Sequence, residues 1–106
     1  MVETLINTLH GMDGGVVIEI RGEIDVLCAD RLQRIFVEAA TRTRPGQIVL
    51  DLRHVTFIDS TGIGALVAGR NAAKALGIGF FVRHPDGFVA AQLRQTGLYE
   101  ALTLDG

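Results

Sequence analysis

The densest chemistry in this chain lies in Phe57-Ile-Asp-Ser-Thr-Gly-Ile-Gly64, where a serine follows an acid and precedes two glycines. As a nucleophile, Ser60 would need a Gly-x-Ser-x-Gly elbow, the sharp strand-to-helix turn that exposes a hydroxyl. Ile58 stands where the first glycine of that elbow belongs, and 106 residues are too few for a hydrolase's long strand series. A base would have to come from His10, His54 or His84, which read as surface or structural residues. Gly62 and Gly64 lack the third glycine of a dinucleotide fingerprint, because Val67 occupies its place. Asp59 or Ser60 can instead cap a helix, accepting a hydrogen bond from an orphan backbone N–H. A serine there can also carry a phosphate, which adds about −1.5 to −2 charge at neutral pH. Cys28 is the only cysteine, so an intrachain disulfide and a cysteine-only metal site are excluded. It reads as a small buried residue. No catalytic set, cofactor or metal cluster is expected.

The elements that must position Ser60 follow from apolar spacing. Gly11-Met-Asp-Gly-Gly15 separates two strand-like stretches and favours a hairpin. Val16, Ile18 and Ile20 alternate with Val17, Glu19 and Arg21, which predicts a strand with one wet face. From Leu27 to Thr41 the period lengthens, and Cys28, Leu32, Ile35, Phe36 and Ala39 share a helical face. Pro45-Gly46 ends it, and Ile48 to Leu52 reads as a buried strand. A second helix is predicted from Ser60 to Leu76, stopped by Gly77 in a left-handed cap. Ile78 to Val82 is a further strand, Pro85-Asp86 opens a third helix closed by Gly97-Leu98, and Leu102 to Leu104 suits a short last strand. This order predicts an α/β fold: a mixed sheet of four to five strands, an antiparallel N-terminal hairpin and right-handed crossover helices.

Two glycines in the first turn of the second helix are unexpected, since each costs about 1 kcal/mol relative to alanine. Something there must need close approach to the backbone or its exposure. Along the same helix, Ile63, Leu66, Val67 and Ala73 point toward the sheet, while Thr61, Ala65, Ala68 and Ala72 line the opposite side. That small, uncharged strip suits either alanine's helix propensity or a partner lying close.

The chain has 48% apolar and 21% charged residues, as a single folded domain over residues 1–106 would. A net charge of −2 without a basic stripe argues against direct nucleic-acid binding. Early acids at Glu3, Asp13 and Glu19 do not fit a signal peptide, and the longest uncharged run, Ser60 to Gly69, is too short to span a bilayer. A cytoplasmic location without membrane contact is expected.

Four stretches, Arg21-Gly-Glu-Ile-Asp25 with Ala29 and Leu32, Ile48-Val-Leu-Asp-Leu52, Phe57–Gly64 and Thr96-Gly-Leu98, follow one another along the chain. Together they resemble the STAS domains, and within them the bacterial anti-sigma-factor antagonists. The resemblance implies partner switching without enzymatic activity of the chain's own. The unphosphorylated protein would bind an anti-sigma factor that is itself an ATP-dependent serine kinase, freeing a sigma factor. That kinase would phosphorylate Ser60, and a metal-dependent serine phosphatase would reverse it. Glu23 and Asp25 would lie in the loop that meets the kinase, and Asp59 would position Ser60. With Thr61, Gly62, Ala65, Ala68 and Ala72 they make up the expected partner surface. The alternative is a non-switching STAS subunit of a lipid-transfer ATPase or sensory complex. The sequence departs from the family in Cys28, where Thr or Ser is common, in an inward-facing Arg70, and in a family-typical final helix that its last residues do not suggest.

Overall fold

The computed structural model describes residues 4–11, 13–85 and 87–103. The alternating stretch is strand β2 (Val16–Ile24), in which Val16, Ile18, Ile20 and Ile24 are buried while Val17 and Glu19 keep part of their surface. It pairs antiparallel with β1 (Leu5–His10), Leu5 opposite Arg21 and His10 opposite Val16. The hairpin is therefore present, its turn closed by the Gly11 N–H donating to the Gly15 carbonyl at 2.8 Å.

Then follow α1 (Ala29–Glu38), running on into a π-helical turn over Ala39–Thr43, and β3 (Gln47–Ile58). After them come α2 (Ser60–Ala75), β4 (Gly79–Arg83), α3 (Gly87–Gln95) and α4 (Tyr99–Thr103). The four strands lie in the order β1-β2-β3-β4, with β2, β3 and β4 parallel. Both crossovers step the same way across the sheet, so right-handed connections place α1 and α2 on one face. Packing agrees with this. Phe36 of α1 meets Phe80 of β4 edge-on, ring centroids 5.3 Å apart, and a β-carbon at Gly69 of α2 would press into both rings.

On the other face Val17, Val49 and Phe81, neighbours across three strands, are only half-buried. Asp51 is the buried polar residue there. Its burial would raise the carboxyl pKa. The Arg53 N–H at 3.0 Å, the Arg83 guanidinium at 3.5 Å and the charges of Arg53 and His84 outweigh that and hold it below the ordinary value.

Helix ends follow the glycines. Gly77 takes φ +73°, its N–H bonding the Lys74 carbonyl at 3.0 Å and that of Ile78 the Ala73 carbonyl at 2.9 Å. The end of α3 repeats the pattern, with Leu98 N–H on the Leu93 carbonyl at 2.9 Å. Among the described residues no helix is long and apolar enough to cross a membrane.

Three elements differ from the sequence reading. α1 starts at Ala29 rather than Leu27, because the chain first turns around Asp25. β3 continues past Leu52 to Ile58, and its register against β2 shifts between Glu19 and Arg21 and again between Gly22 and Glu23, which breaks the plain alternation. The short last strand at Leu102–Leu104 is not formed. Leu102 belongs to α4, donating to the Leu98 carbonyl at 3.0 Å, and is fully buried; Leu104 lies outside the described residues. Leu98, Tyr99 and Leu102 share a helical spacing too brief to be distinctive.

The first turn of α2 sits directly on the end of β2. Asp59 N–H donates to the Ile24 carbonyl at 3.2 Å. A β-carbon on Gly62 would collide with that carbonyl and come within 2.8 Å of Ile24 Cγ2, whereas one on Gly64 would meet nothing within 4 Å. Gly62→Ala should therefore destabilise the fold by about 1–3 kcal/mol despite alanine's better helix propensity. Gly64→Ala should stabilise it by up to about 1 kcal/mol. Urea melts of the two variants check this, and equal shifts of the same sign would contradict the packing.

Candidate functional site

Ser60 is the first residue of α2 and is exposed. The cap of that helix is Asp59, in extended backbone, whose Oδ1 accepts from the Gly62 N–H at 2.8 Å. Its carbonyl accepts from Ile63 N–H at 2.9 Å. All three hydrogen-bonding groups of Asp59 are thus used, its N–H on the Ile24 carbonyl of β2 and its carboxylate and carbonyl on the first turn of α2. Ser60 is spared that work: its hydroxyl makes no hydrogen bond among the described residues. An idle hydroxyl at a helix N-terminus can take up a phosphate, whose charge the first-turn N–H groups favour. No described histidine bonds to it, and His10 pairs with Val16 at the opposite end of β2 from Ile24.

Ile24 and Ile58 are register partners, so the chain leaves β2 and β3 side by side. Asp25 begins the loop beside Ser60. Its Oδ1 accepts from Leu27 N–H at 3.0 Å, and its carbonyl from Cys28 N–H at 3.1 Å and Ala29 N–H at 3.0 Å. Its carboxylate therefore builds the turn into α1. Glu23, which was expected in that loop, is not there. It lies in β2 opposite Phe57, half-buried, with its carbonyl accepting from Thr4 Oγ1 at 2.6 Å. Cys28 is buried, as expected, and its side chain caps nothing at the start of α1.

The strip along α2 needs correction. Thr61 is exposed and Ala68 and Ala72 are half-exposed, but Ala65 is 3% exposed and Gly62 lies under Ile24. The helix is covered on two sides, by the sheet and by α1, so its buried arc is wider than a sheet-only reading allows. Gly69 faces Phe36 of α1, and Ala65 lies one turn earlier on that side. The accessible ridge is instead Thr61, Gly64, Ala68 and Asn71. Ala68 and Ala72 lie about 12 and 18 Å along the axis from Ser60. Arg70, expected to face inward, is half-exposed.

Sequence reasoning missed the apolar residues at this end. Val26 and Leu27, between Asp25 and the helix, are 66% and 87% exposed. Phe88 is 45% exposed and stacks on Phe57 at 5.2 Å. The available signal was that Val26 and Leu27 fall outside the face formed by Cys28, Leu32 and Phe36.

The family model of the STAS domain matches residues 6–105. Among solved structures, an anti-sigma factor antagonist from Mycobacterium paratuberculosis is 28% identical, with a TM-score of 0.73 over 97% of this chain and 89% of that one. The anti-sigma factor antagonist SpoIIAA in its unphosphorylated form shares the fold at 17% identity, with a TM-score of 0.74 over 96% and 89% of the two chains. A sulfate transporter family protein from Wolinella succinogenes is 26% identical, with a TM-score of 0.74 over 89% of this chain and 75% of that one.

The division between cap and free hydroxyl has a direct check. Asp59→Ala should cost about 1 kcal/mol in denaturant melts. Ser60→Ala should change stability by less than about 0.5 kcal/mol. An equal loss in both would mean that Ser60 shares the capping.

Proposed function

The chain belongs to the STAS domain family, and from that premise we propose that it is an anti-sigma-factor antagonist switched off by phosphorylation at Ser60. The observation that carries this reading is the idle Ser60 hydroxyl, exposed at the start of α2 beside an aspartate that does the capping. The 28% likeness to the mycobacterial antagonist, over nearly all of both chains, supports it.

In this reading the unphosphorylated chain binds a serine-kinase anti-sigma factor and releases a sigma factor. The kinase binds ATP and transfers the γ-phosphoryl group to the Ser60 hydroxyl, releasing ADP and a proton; a metal-dependent serine phosphatase hydrolyses the ester to free serine and inorganic phosphate. The chain acts by binding, in the cytoplasm, and touches neither nucleic acid nor membrane itself. Phosphate at the start of α2 is tolerated by the fold because the helix N-terminus favours negative charge. At a closed interface the same group must shed water beside the Asp59 carboxylate, which opposes binding. Thr61, Ala68 and Asn71 extend the contact along the exposed ridge of α2. Ala65 and Gly62 support it from beneath.

The 26% likeness to a transporter-family protein favours one second reading, a STAS subunit that scaffolds a larger assembly and is never modified. Incubation with purified serine-kinase anti-sigma factors and ATP, followed by mass spectrometry, separates the two. The switch predicts one phosphate, on Ser60, and none on Ser60→Ala. Ser60→Asp should keep its melting temperature and bind the same kinase at least tenfold more weakly, about 1.4 kcal/mol. Full modification of Ser60→Ala at Thr61 would move the acceptor.

A further inference from the structure

Val26 and Leu27 have no role in the fold that would select an apolar side chain. They are the two most exposed large apolar residues described, and they are adjacent. Single exposed apolar residues need no explanation, but an adjacent pair held outward by a defined turn does. Their support is a hydrogen-bonded turn. The Asp25 carboxylate holds Leu27 N–H at 3.0 Å, and the Asp25 carbonyl holds the next two N–H groups, of Cys28 and Ala29. Cys28 and Ala29, just beyond, are buried and anchor the loop's far side.

This turn is fixed to Ser60 through a short path. Ile24 precedes Asp25, and its carbonyl accepts from Asp59 N–H, whose residue precedes Ser60. Leu27 lies only three residues beyond Ile24, at most about 11 Å of chain. A kinase that places its active site over the Ser60 hydroxyl must also cover what flanks it. We propose that Val26 and Leu27 are the apolar anchor by which the kinase is held over Ser60, and that its surface beside the active site carries an apolar pocket for them. Asp25, in this account, is a positioning residue that holds the anchor out. The inference rests on the switch reading above and names the contact through which that switch is read.

Burying a side chain of this size is worth roughly tenfold or more in affinity. The probe is each purified serine-kinase anti-sigma factor that transfers phosphate to Ser60 of the wild-type chain. Leu27→Ser should weaken its binding at least tenfold, and Val26→Thr, which keeps shape and replaces a methyl group with a hydroxyl, severalfold. Both should leave the melting temperature unchanged, since neither side chain is buried. Leu9→Ser, at the other end of the sheet and 46% exposed, should leave affinity unchanged. Wild-type binding should also fall little between low and high salt, as apolar contact requires. Phosphorylated wild type with undiminished binding by Leu27→Ser and Val26→Thr overturns the anchor alone. If binding instead collapses with salt and with Asp25→Asn, recognition is by charge and the anchor is likewise wrong. A chain that no such kinase binds or modifies overturns the switch reading and the anchor with it.

Discussion

The position of Ser60 depends on one contact, the seating of the first turn of α2 on the Ile24 carbonyl at the end of β2. That carbonyl is the last acceptor β2 offers, and Asp59 N–H takes it at 3.2 Å. The approach is so close that Gly62 has no space for a β-carbon. With the turn fixed in this way, the Asp59 side chain reaches back to Gly62 N–H and the helix begins at the next residue. Ser60 is then the first residue of the helix, and its side chain makes no hydrogen bond among the described residues. Glycine at 62 is a packing requirement, whereas glycine at 64 lies in open space and answers to no contact within the chain.

Topology explains why this contact carries two loops. Parallel strands that advance one place at a time across the sheet put both crossover helices on the same face. They also bring the chain out of β2 and β3 at the same end, at Ile24 and Ile58. With both helices on one face, α1 and α2 must pack on each other as well as on the sheet, and small residues let them approach. Gly69 under Phe36 is the clearest case. The small residues of α2 therefore divide: Gly62, Ala65 and Gly69 answer to packing, while Gly64 and Ala68 remain toward solvent.

The same division marks what could be read in advance. The element order as far as α3, the hairpin, the caps at Gly77 and Gly97, and the helix start at Asp59-Ser60 were legible, because each depends on local chemistry within a few residues. Ala65 was misplaced because one-helix periodicity sees only a single buried side, and the second side is supplied by α1, which lies thirty or so residues away in the chain. Glu23 was misplaced because β2 stays paired with β3 as far as Ile24 across two register shifts whose extra residues lie on β3, which alternation within β2 cannot show. The α4 turn was misread because five residues give barely one helical repeat. The bond from Leu27 N–H to Asp25 Oδ1 could not be read in advance, because it exists only once the turn is formed.

Asp25 and Asp59 are, in fact, one device used twice. Each closes a turn after a parallel strand by accepting a backbone N–H two or three residues on, and each is followed by residues held outward with no internal partner. The acids build; the residues behind them are free to meet a partner. In the proposed switch this arrangement also sets the sign of the electrostatics. Both carboxylates stay partly in water in the free chain, where charges several ångströms apart are strongly screened, so a phosphate on Ser60 adds little strain. Once a partner dries the surface, three negative groups share a medium of lower dielectric, and their repulsion and lost hydration grow together. The more water the apolar neighbours exclude, the larger that difference between free and bound chain becomes. An apolar rim beside the acceptor would therefore strengthen the switch as well as the complex, and the two properties need not be selected separately.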